Sequence, residues 1–367
     1  MTSARTQAIG ARVGSVVLVL FLFLSLSSTH ASATRVWVEL VTDEADAVLA
    51  ILAKKAAAEP VTDADWERLF NSDGYVRLKK REASLNRGFT DDDFKAFVLS
   101  DELSARRADL EETLARWKQA DLNGAAGRAL AYLPEGADFR AKVYPVIKPQ
   151  TNSFVFEVTT DPAIFLYLDP TMTAAQFENT MAHELHHIGY AGACASRAEA
   201  EQTLARSPAV AQILRWIGAF GEGVAMLAAA GGPDVHPHAA SPEADRQRWD
   251  RDVIRFDDDL GKVEAFFLSI LDGRLTNQED IDTLGFSFFG IQGPWYTVGW
   301  KMAVTIENTY GRAALIDCLC EPARFLATYN RAAEEQMHNG GERLATWSPK
   351  LMEALLQVPE NPAGGAH

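Results

Sequence analysis

The sequence predicts an α+β protein that is mostly helical, and three observations lead to that fold class. Helical periodicity dominates from Thr34 to about Gly136 and again from Thr173 to about Val358. Between these stretches lie three short runs rich in β-forming residues, FRAKVYPVI, SFVFEVTT and AIFLYLD, which Pro, Asn and Asp separate. The chain has 367 residues and is 47% hydrophobic, which is enough for one large or two moderate cores.

Residues 1–33 have the three parts of a secretory signal peptide. Arg5 and Arg12, with no acid, precede an apolar run that starts at Val13, and the small-x-small pattern Ala31-Ser32-Ala33 follows. The apolar run of about 14 residues is short for a bilayer span, so an uncleaved membrane anchor is the weaker alternative. We expect cleavage after Ala33 and a secreted or periplasmic protein. We expect no later segment to be long and apolar enough to cross a membrane, and therefore no stable membrane association after cleavage.

The exported chain is strongly acidic. Removing the signal peptide leaves 33 basic and 50 acidic residues, a net charge of −17. Such a surface repels nucleic acid and anionic lipid, so nucleic acid is not an expected partner. A peptide or protein substrate is neither required nor excluded by this charge.

Changes of pattern divide the exported chain into four parts. We expect an N-terminal helical region at 34–136, a central region with the β runs and two helices at 137–232, a C-terminal helical subdomain at 233–358 and a flexible tail at 359–367. Three cysteines are too few for a disulfide scaffold. Cys194 could pair with Cys318 or Cys320 in an oxidising compartment, or all three thiols could be free and buried.

The stretch TMAHELHHIGY, residues 180–190, holds three of the eight histidines and lies on a predicted helix. Thr173 and Gln176 form a capping box and Gly189 is a plausible stop, which predicts a helix over 174–188. At about 100° per residue, four apolar side chains fall on one stripe that should face the core. They are Phe177, Met181, Leu185 and Ile188.

His183 and His187 lie one turn apart on the opposite face, where two imidazoles can bind the same ion. His186 lies to the side of that face and is expected to be a supporting or surface residue. Glu184 completes His-Glu-x-x-His, a spacing typical of zinc sites that activate water, with the Glu acting as general base and then as general acid. The alternative is a solvated helix face with two incidental histidines.

A catalytic zinc usually has three protein ligands, and Glu222 is the strongest candidate for the third. It stands in the apolar stretch PAVAQILRWIGAFGEGVAMLAAAGG, where an isolated carboxylate is costly without a positive partner. Gly218, Gly221 and Gly223 are expected to let this helix approach the His helix closely. Glu222 could instead pair with Arg215 or bond backbone amides at a helix start. His236 and His238 are rival ligands.

With these residues the chain resembles the gluzincins, zinc peptidases whose third ligand is a Glu on a second helix. From IFLYLD through AHELHHIGY and GEGVA to GPWYTVGWKMAVTIENTYGR it is similar to a bacterial family of zinc-dependent peptidases, over about residues 40–330. The resemblance implies one zinc ion per chain and a zincin-like catalytic core in the central region. It also implies a small β-sheet next to the His-Glu-x-x-His helix. An edge strand there would hold the peptide substrate, and AIFLYLD is the candidate.

The chain departs from the better-known gluzincins at one supporting position. They carry an Asp four residues after the ligand Glu, where this sequence has Met226. We therefore expect Asn179 or Thr180 to support a zinc-bound histidine.

A donor for the developing oxyanion is expected across the cleft from the zinc, as a Tyr or His is in gluzincins. The stretch GIQGPWYTVGWKM predicts a helix that begins near Trp295, with Tyr296 in its first turn. Tyr296 is the preferred candidate, and Tyr190 and Tyr310 are alternatives. Otherwise this aromatic cluster simply builds the core of the C-terminal half.

The sequence thus predicts a secreted zinc metallopeptidase, a hydrolase that binds zinc through His183, His187 and Glu222. Glu184 and Tyr296 would be its catalytic residues. A zinc-stabilised binding module without turnover and a zinc hydrolase acting on a non-peptide amide are the alternatives. Sequence alone leaves open the oligomeric state, the role of residues 34–136, and whether cleavage falls at an end or inside a chain.

Overall fold

The predicted fold class is confirmed, since the chain is α+β and mostly helical. The computed structural model describes residues 36–158, 160–203 and 207–356, without the side chains of 195 and 198–203. The predicted signal peptide and the predicted tail lie outside these residues. In chain order the elements are β1 (Val36–Leu40), α1 (Asp43–Ala56), α2 (Asp63–Phe70), α3 (Asp73–Ser84), α4 (Asp91–Val98), α5 (Asp101–Ala105), α6 (Arg107–Trp117), α7 (Leu122–Leu130), β2 (Phe139–Val146), β3 (Phe154–Phe156), β4 (Ala163–Tyr167), α8 (Ala174–Thr203), α9 (Pro208–Ile217), α10 (Gly221–Ala230), α11 (Glu243–Ile254), α12 (Phe256–Leu271), α13 (Gln278–Ser287), α14 (Pro294–Tyr310), α15 (Arg312–Leu319), α16 (Pro322–His338) and α17 (Pro349–Leu356).

The four strands form one small mixed sheet in the order β1-β2-β4-β3. β2 pairs in parallel with both β1 and β4, and β3 pairs antiparallel with β4. The three predicted β runs supply β2, β3 and β4. β1 lies in a region where the sequence predicted mostly helices, although its alternating burial is typical of a strand with one face on the core.

β4, the run AIFLYLD, is not an edge strand as expected. Ala163 to Phe165 pair with β2 on one side and with β3 on the other. The backbone groups that a peptide would need there are already bonded, so the free edge on this side of the sheet belongs to β3.

Helix α8 begins where predicted but is much longer. The capping box is confirmed, with the Thr173 amide donating to Gln176 Oε1 at 2.8 Å and the Gln176 amide donating to Thr173 Oγ1 at 3.2 Å. The stop predicted at Gly189 is wrong, since the helix continues to Thr203. A Cβ on Gly189 would lie 2.2 Å from Leu133 Cδ1, so this glycine permits close packing rather than ending the helix.

The buried apolar residues form two clusters, and the partly buried Tyr190 of α8 packs against both. The first contains the sheet, α1 to α7 and the apolar stripe of α8, and all four stripe residues are at most 3% exposed, as predicted. The second is built mainly by α9, α10 and α12 to α17 around Trp295, Phe267 and Trp347. A disulfide between Cys194 of α8 and Cys320, directly after α15, joins the two regions. Cys318 is a buried free thiol whose pKa is raised by burial to about 11.

The segment Pro208–Ala230 contradicts the expectation that no segment after the signal peptide is long and apolar enough to cross a membrane. It comprises α9, a 3-10 turn over Gly218–Phe220, and α10, and it has the length and composition of a membrane span. Its most apolar 18-residue window is 67% buried inside the protein. The segment is therefore a core element here, and it carries Glu222.

Candidate metal centre

Three side chains from two helices converge on one point. His183 and His187 project from α8, and Glu222 projects from the first turn of α10. The two histidine Nε2 atoms are 3.0 Å apart, and Glu222 Oε2 lies 3.1 Å from that of His183 and 3.2 Å from that of His187. The side chains are 14%, 27% and 21% exposed respectively, so the triangle is accessible from solvent on one side.

This triangle fits a zinc ion. Bonds of 2.0–2.1 Å in a tetrahedral site place neighbouring ligand atoms roughly 3.3 Å apart, close to the three separations observed. Two imidazole nitrogens and a carboxylate oxygen are also the donor set that zinc accepts, and a cation between them would relieve the crowding of their lone pairs. Among the described residues, His183, His187 and Glu222 form a group of possible ligands whose ligand atoms all lie within 4.8 Å of one another, close enough to hold one metal ion.

The electrostatics of the triangle couple the carboxylate to the two imidazoles. Burial alone would raise the pKa of Glu222, but His187 and His183 outweigh it and hold that pKa far below its usual range. Burial lowers the pKa of His187, and Glu222 more than compensates, so the net shift is upward. The carboxylate is therefore ionised and already interacts with the two side chains that would share a metal with it.

The position of α10 rules out the pairing of Glu222 with Arg215. Arg215 is on the exposed face of α9, with its guanidinium 6.0 Å from the ring of Trp216. No ion pair joins it to Glu222 in the structure as described. Glu222 is turned toward α8 instead.

The glycines around Glu222 do not act as predicted. A Cβ on Gly218 or Gly221 would meet no atom within 4 Å, so neither brings α10 close to the His helix. A Cβ on Gly223 would lie 2.0 Å from the Trp300 backbone nitrogen of α14. Gly299 of α14 is equally close in the other direction, because a Cβ added to it would lie 2.5 Å from the Phe220 carbonyl oxygen. The close backbone approach is therefore between α10 and α14.

A cavity of about 300 Å³ opens beside the triangle and contains Glu184 and Tyr296 in its wall. Tyr296 lies in the first turn of α14, where the sequence placed it, and its ring is stacked 6.3 Å from that of His183. Burial raises the pKa of Tyr296, and the charge of Glu222, a hydrogen bond from the phenol to that carboxylate and the charge of Glu184 raise it further. The phenol therefore remains a hydrogen-bond donor at neutral pH.

The two alternative tyrosines lie elsewhere. The Tyr190 hydroxyl donates to the Leu319 carbonyl oxygen at 3.4 Å, toward the second core. Tyr310 is the last residue of α14, about four turns from Tyr296, and is 37% exposed. Tyr296 is the tyrosine that lines the cavity.

His186 is not a surface residue. It is completely buried, and its ring stacks 6.4 Å from that of Tyr190. Burial lowers its pKa to about 3, and the neighbouring histidines act in the same direction. His186 is therefore a neutral core residue behind the triangle.

The support expected for a ligand histidine is not found where the sequence suggested. His183 Nδ1 is buried without a hydrogen-bond partner among the residues that the structure describes. Asn179, Thr180 and Met226 all line the cavity. Neither Asn179 nor Thr180 forms a hydrogen bond with His183 Nδ1. The ring of His183 is oriented by packing and by its contacts with His187 and Glu222.

The rival histidines are not part of the triangle. His236 donates from Nε2 to Asp250 Oδ1 at 3.1 Å and accepts the His238 amide at Nδ1 at 2.9 Å. His238 is 6% exposed and lies in the cavity wall together with Gln292. Sequence reasoning missed Gln292, and its one local signal is the pair Gly290 and Gly293 that flanks it in a turn.

The chain matches a family model over residues 53–337, which is most of its length. The family is described as "Putative zinc dependent peptidase (DUF5700)". The matched range includes the triangle, Glu184 and Tyr296. No curated protein and no solved structure matches the chain.

Proposed function

We propose, because this chain belongs to the zinc dependent peptidase family whose model it matches, that it is a metallopeptidase of gluzincin type. One zinc ion would be held by His183, His187 and Glu222. The observation that carries the proposal is the convergence of these three ligand atoms beside a cavity with Glu184 in its wall.

The family description supports zinc as the metal. The positions of the side chains around the site support a role for each residue in hydrolysis. When bound, zinc would act as a Lewis acid that makes a water molecule easier to deprotonate and polarises the substrate carbonyl. Glu184 faces the cavity from the same helix as the two histidines, so it can accept the proton of that water. It then delivers the proton to the nitrogen of the departing amine.

Tyr296 meets the charge that develops on the carbonyl oxygen. Its phenol lines the cavity beside His183 and remains protonated because burial and two carboxylates raise its pKa. A hydrogen-bond donor at the developing oxyanion is commonly the largest single contribution to such catalysis, and the Tyr296 hydroxyl, which bonds Glu222 in this structure, would serve as that donor.

The central test is Glu184→Gln, with zinc content and peptide hydrolysis measured on the same sample. We expect about one zinc ion per chain and a fall in hydrolysis of roughly 10²- to 10⁴-fold, the usual contribution of a general base. Glu353→Gln, an exposed change on α17, is the matched control and should retain full activity. Undiminished hydrolysis by the Glu184 variant would remove the proposed mechanism.

Glu222→Ala separates metal binding from proton transfer. This variant should lose its zinc and its activity together, whereas Glu184→Gln loses activity alone. A zinc-stabilised module without turnover would show zinc binding but no chelator-sensitive hydrolysis of a mixed peptide library. Hydrolysis of simple amides without hydrolysis of peptides would instead indicate a hydrolase of non-peptide substrates.

The proposed substrate is a peptide or protein outside the cytoplasm. Support for this location comes from the signal-peptide pattern of residues 1–33. Appearance of the chain in the exported fraction, shortened at Ala33, would be its direct test.

A further inference from the structure

We infer, on the basis of the proposed function, that an apolar surface beside the cavity binds a large apolar side chain of the peptide substrate, roughly two to six residues from the cut. This apolar rim consists of Phe286 at the end of α13 and of Phe289 and Ile291 in the turn before α14. The inference rests on the exposure of the rim, on a row of aromatic rings that joins it to the metal centre, and on the sequence around it.

The rim exposes large apolar side chains to solvent. Phe286 is 60% exposed and Ile291 is 75% exposed. Among the large apolar side chains that the structure describes, only Ile254 is more exposed than Ile291. Single exposed apolar residues are normal, but neighbouring ones at the border of a cavity are typical of a surface that a ligand covers.

A row of aromatic rings joins the rim to the proposed zinc site. The ring centres of Phe286 and Phe289 lie 6.2 Å apart, and Phe289 lies 6.3 Å from Tyr296 in an edge-to-face contact. Tyr296 lines the cavity, and its ring lies 6.3 Å from that of His183. An extended peptide advances about 3.3 Å per residue, so a chain that is cut at the zinc reaches Phe289 within about four residues and Phe286 within about six.

The turn before α14 contributes to the cavity and to the rim at once. The Gly293 amide donates to the Phe289 carbonyl oxygen at 2.6 Å, which closes a turn that contains Gly290, Ile291 and Gln292. Gln292 lines the cavity, and its neighbour Ile291 is exposed. A substrate that leaves the cavity on this side therefore meets the rim directly.

The rim belongs to the longest uncharged run of the chain after the predicted signal peptide. Residues 283–300 contain no Asp, Glu, Lys or Arg, although 23% of the chain is charged. Asp282 precedes this run, and Lys301 follows it and pairs with Glu342 at 2.8 Å. Covering the rim with an apolar side chain buries apolar surface without removing a charge of the rim from water.

A peptide side chain fits the rim better than a membrane or a second copy of the chain does. Apolar surfaces that bind membranes are typically flanked by Lys and Arg, whereas the residues just before this run include the acids Glu279, Asp280 and Asp282. A stable dimer buries roughly 800 Å² per partner, which is more than three side chains provide. The rim is continuous with the cavity, so the peptide that is cut there is the ligand best placed to cover it.

The first experiment maps the cuts that the full-length zinc-loaded protein makes in a decapeptide library. Large apolar residues should be enriched at least about threefold at a position two to six residues from the cut, on one side of it. Cleavage without enrichment in that range would overturn the role of the rim and leave the proposed function intact. Failure to cleave the library at zinc occupancy near one would contradict the proposed function, and this inference with it.

Two variants test the residues of the rim. The substrates are a pair of decapeptides with Leu or Ser at the enriched position. Ile291→Ser and Phe286→Ser should each reduce the preference for the Leu peptide, measured as the ratio of kcat/KM, roughly fivefold. The change should lie in the KM of the Leu peptide, while kcat and zinc content stay within about twofold of wild type. An unchanged preference in both variants would overturn the assignment.

Matched changes control for packing and for loss of apolar surface as such. Ile254→Ser, at the exposed end of α11, should leave the preference unchanged. Because Phe286 also packs 5.4 Å from the Trp216 ring, Phe286→Leu is included and should retain most of the preference. A loss of preference in Ile254→Ser equal to that in Ile291→Ser would overturn the role of the rim.

Binding without cleavage gives a readout that is independent of turnover. Zinc-loaded Glu184→Gln should bind the Leu peptide more tightly than the Ser peptide, and adding Ile291→Ser should reduce that ratio of Kd values roughly fivefold. Flotation with vesicles of phosphatidylcholine and phosphatidylglycerol, and sedimentation of the protein alone, test the other occupants. Vesicle binding or dimer formation that Ile291→Ser abolishes would overturn the substrate assignment and give the rim to a membrane or to a second copy.

Discussion

The two helices that carry the candidate metal centre are held in different ways. At Gly189, α8 packs against the side chains of Leu133 and Phe139. α10 contacts α14 through backbone, at the reciprocal approach of Gly223 and Gly299. Side chains can adjust by rotation, whereas two helix backbones in contact can only move apart. We therefore expect α10 to tolerate far less change than α8.

This difference matters for the site because α10 and α14 each contribute to it. Glu222 directly precedes Gly223, and Tyr296 lies one turn before Gly299 on α14. The same backbone contact thus fixes the position of Glu222, the proposed third ligand, relative to Tyr296, the proposed oxyanion donor. Any separation of the two helices would displace both groups at once.

The largest effect is expected for Gly223→Ala. The new Cβ would lie 2.0 Å from the Trp300 nitrogen and 2.4 Å from the Gly299 carbonyl carbon, and neither backbone atom can rotate away. We expect the free energy of unfolding of the metal-free protein to fall by at least about 3 kcal/mol. Denaturant unfolding in the presence of chelator measures this loss, and a zinc titration should show affinity weakened more than tenfold.

Gly299→Ala is the partner experiment, because its Cβ would meet the Phe220 carbonyl oxygen at 2.5 Å. It should resemble Gly223→Ala in both measurements. If either variant kept the denaturant midpoint and the zinc affinity of the wild type, α10 and α14 would have space for a Cβ between them. The proposed difference in tolerance between α10 and α8 would then be wrong.

The same contrast explains which parts of the site could be predicted from sequence. The His face of α8 depends on spacing within one helix, so periodicity placed Phe177, Met181 and Leu185 in the core and His183 and His187 opposite them. Glu222 stood out as an isolated carboxylate in an apolar stretch, which is also a local signal. The capping box at Thr173 belongs to the same class.

What could not be predicted depends on residues distant in the chain. Gly189 looks like a helix stop until Leu133 is known to lie against it, and Gly223 looks like a neighbour of the His helix until Trp300 is placed. His186 is polar and lies to the side of the ligand face on the helical wheel, yet it is completely buried, with its ring stacked on that of Tyr190. Gln292 has no periodic pattern, and only the fold brings it to the cavity.

A smaller effect is expected for Gly189→Ala on α8. The new Cβ would lie 2.2 Å from Leu133 Cδ1 and 3.0 Å from Phe139 Cδ1, both on side chains that can shift. Overpacking costs about 1–3 kcal/mol, and the higher helix propensity of Ala recovers up to about 1 kcal/mol. The net loss of unfolding free energy should be about 1 kcal/mol, with zinc affinity within twofold of wild type. A loss as large as that of Gly223→Ala would mean that side-chain and backbone contacts are equally rigid here.

The smallest effect, and one of opposite sign, is expected for Gly218→Ala at the end of α9. Gly218 is exposed, its φ of −55° is right-handed, and a Cβ there would meet no atom within 4 Å. Ala reduces the conformational freedom of the unfolded chain without strain in the folded one, so the protein should gain about 0.5–1 kcal/mol. Denaturant unfolding at constant m-value measures the gain. A destabilised variant would show that Gly218 makes a close contact. It would support the sequence-based expectation that this glycine lets its helix approach the His helix.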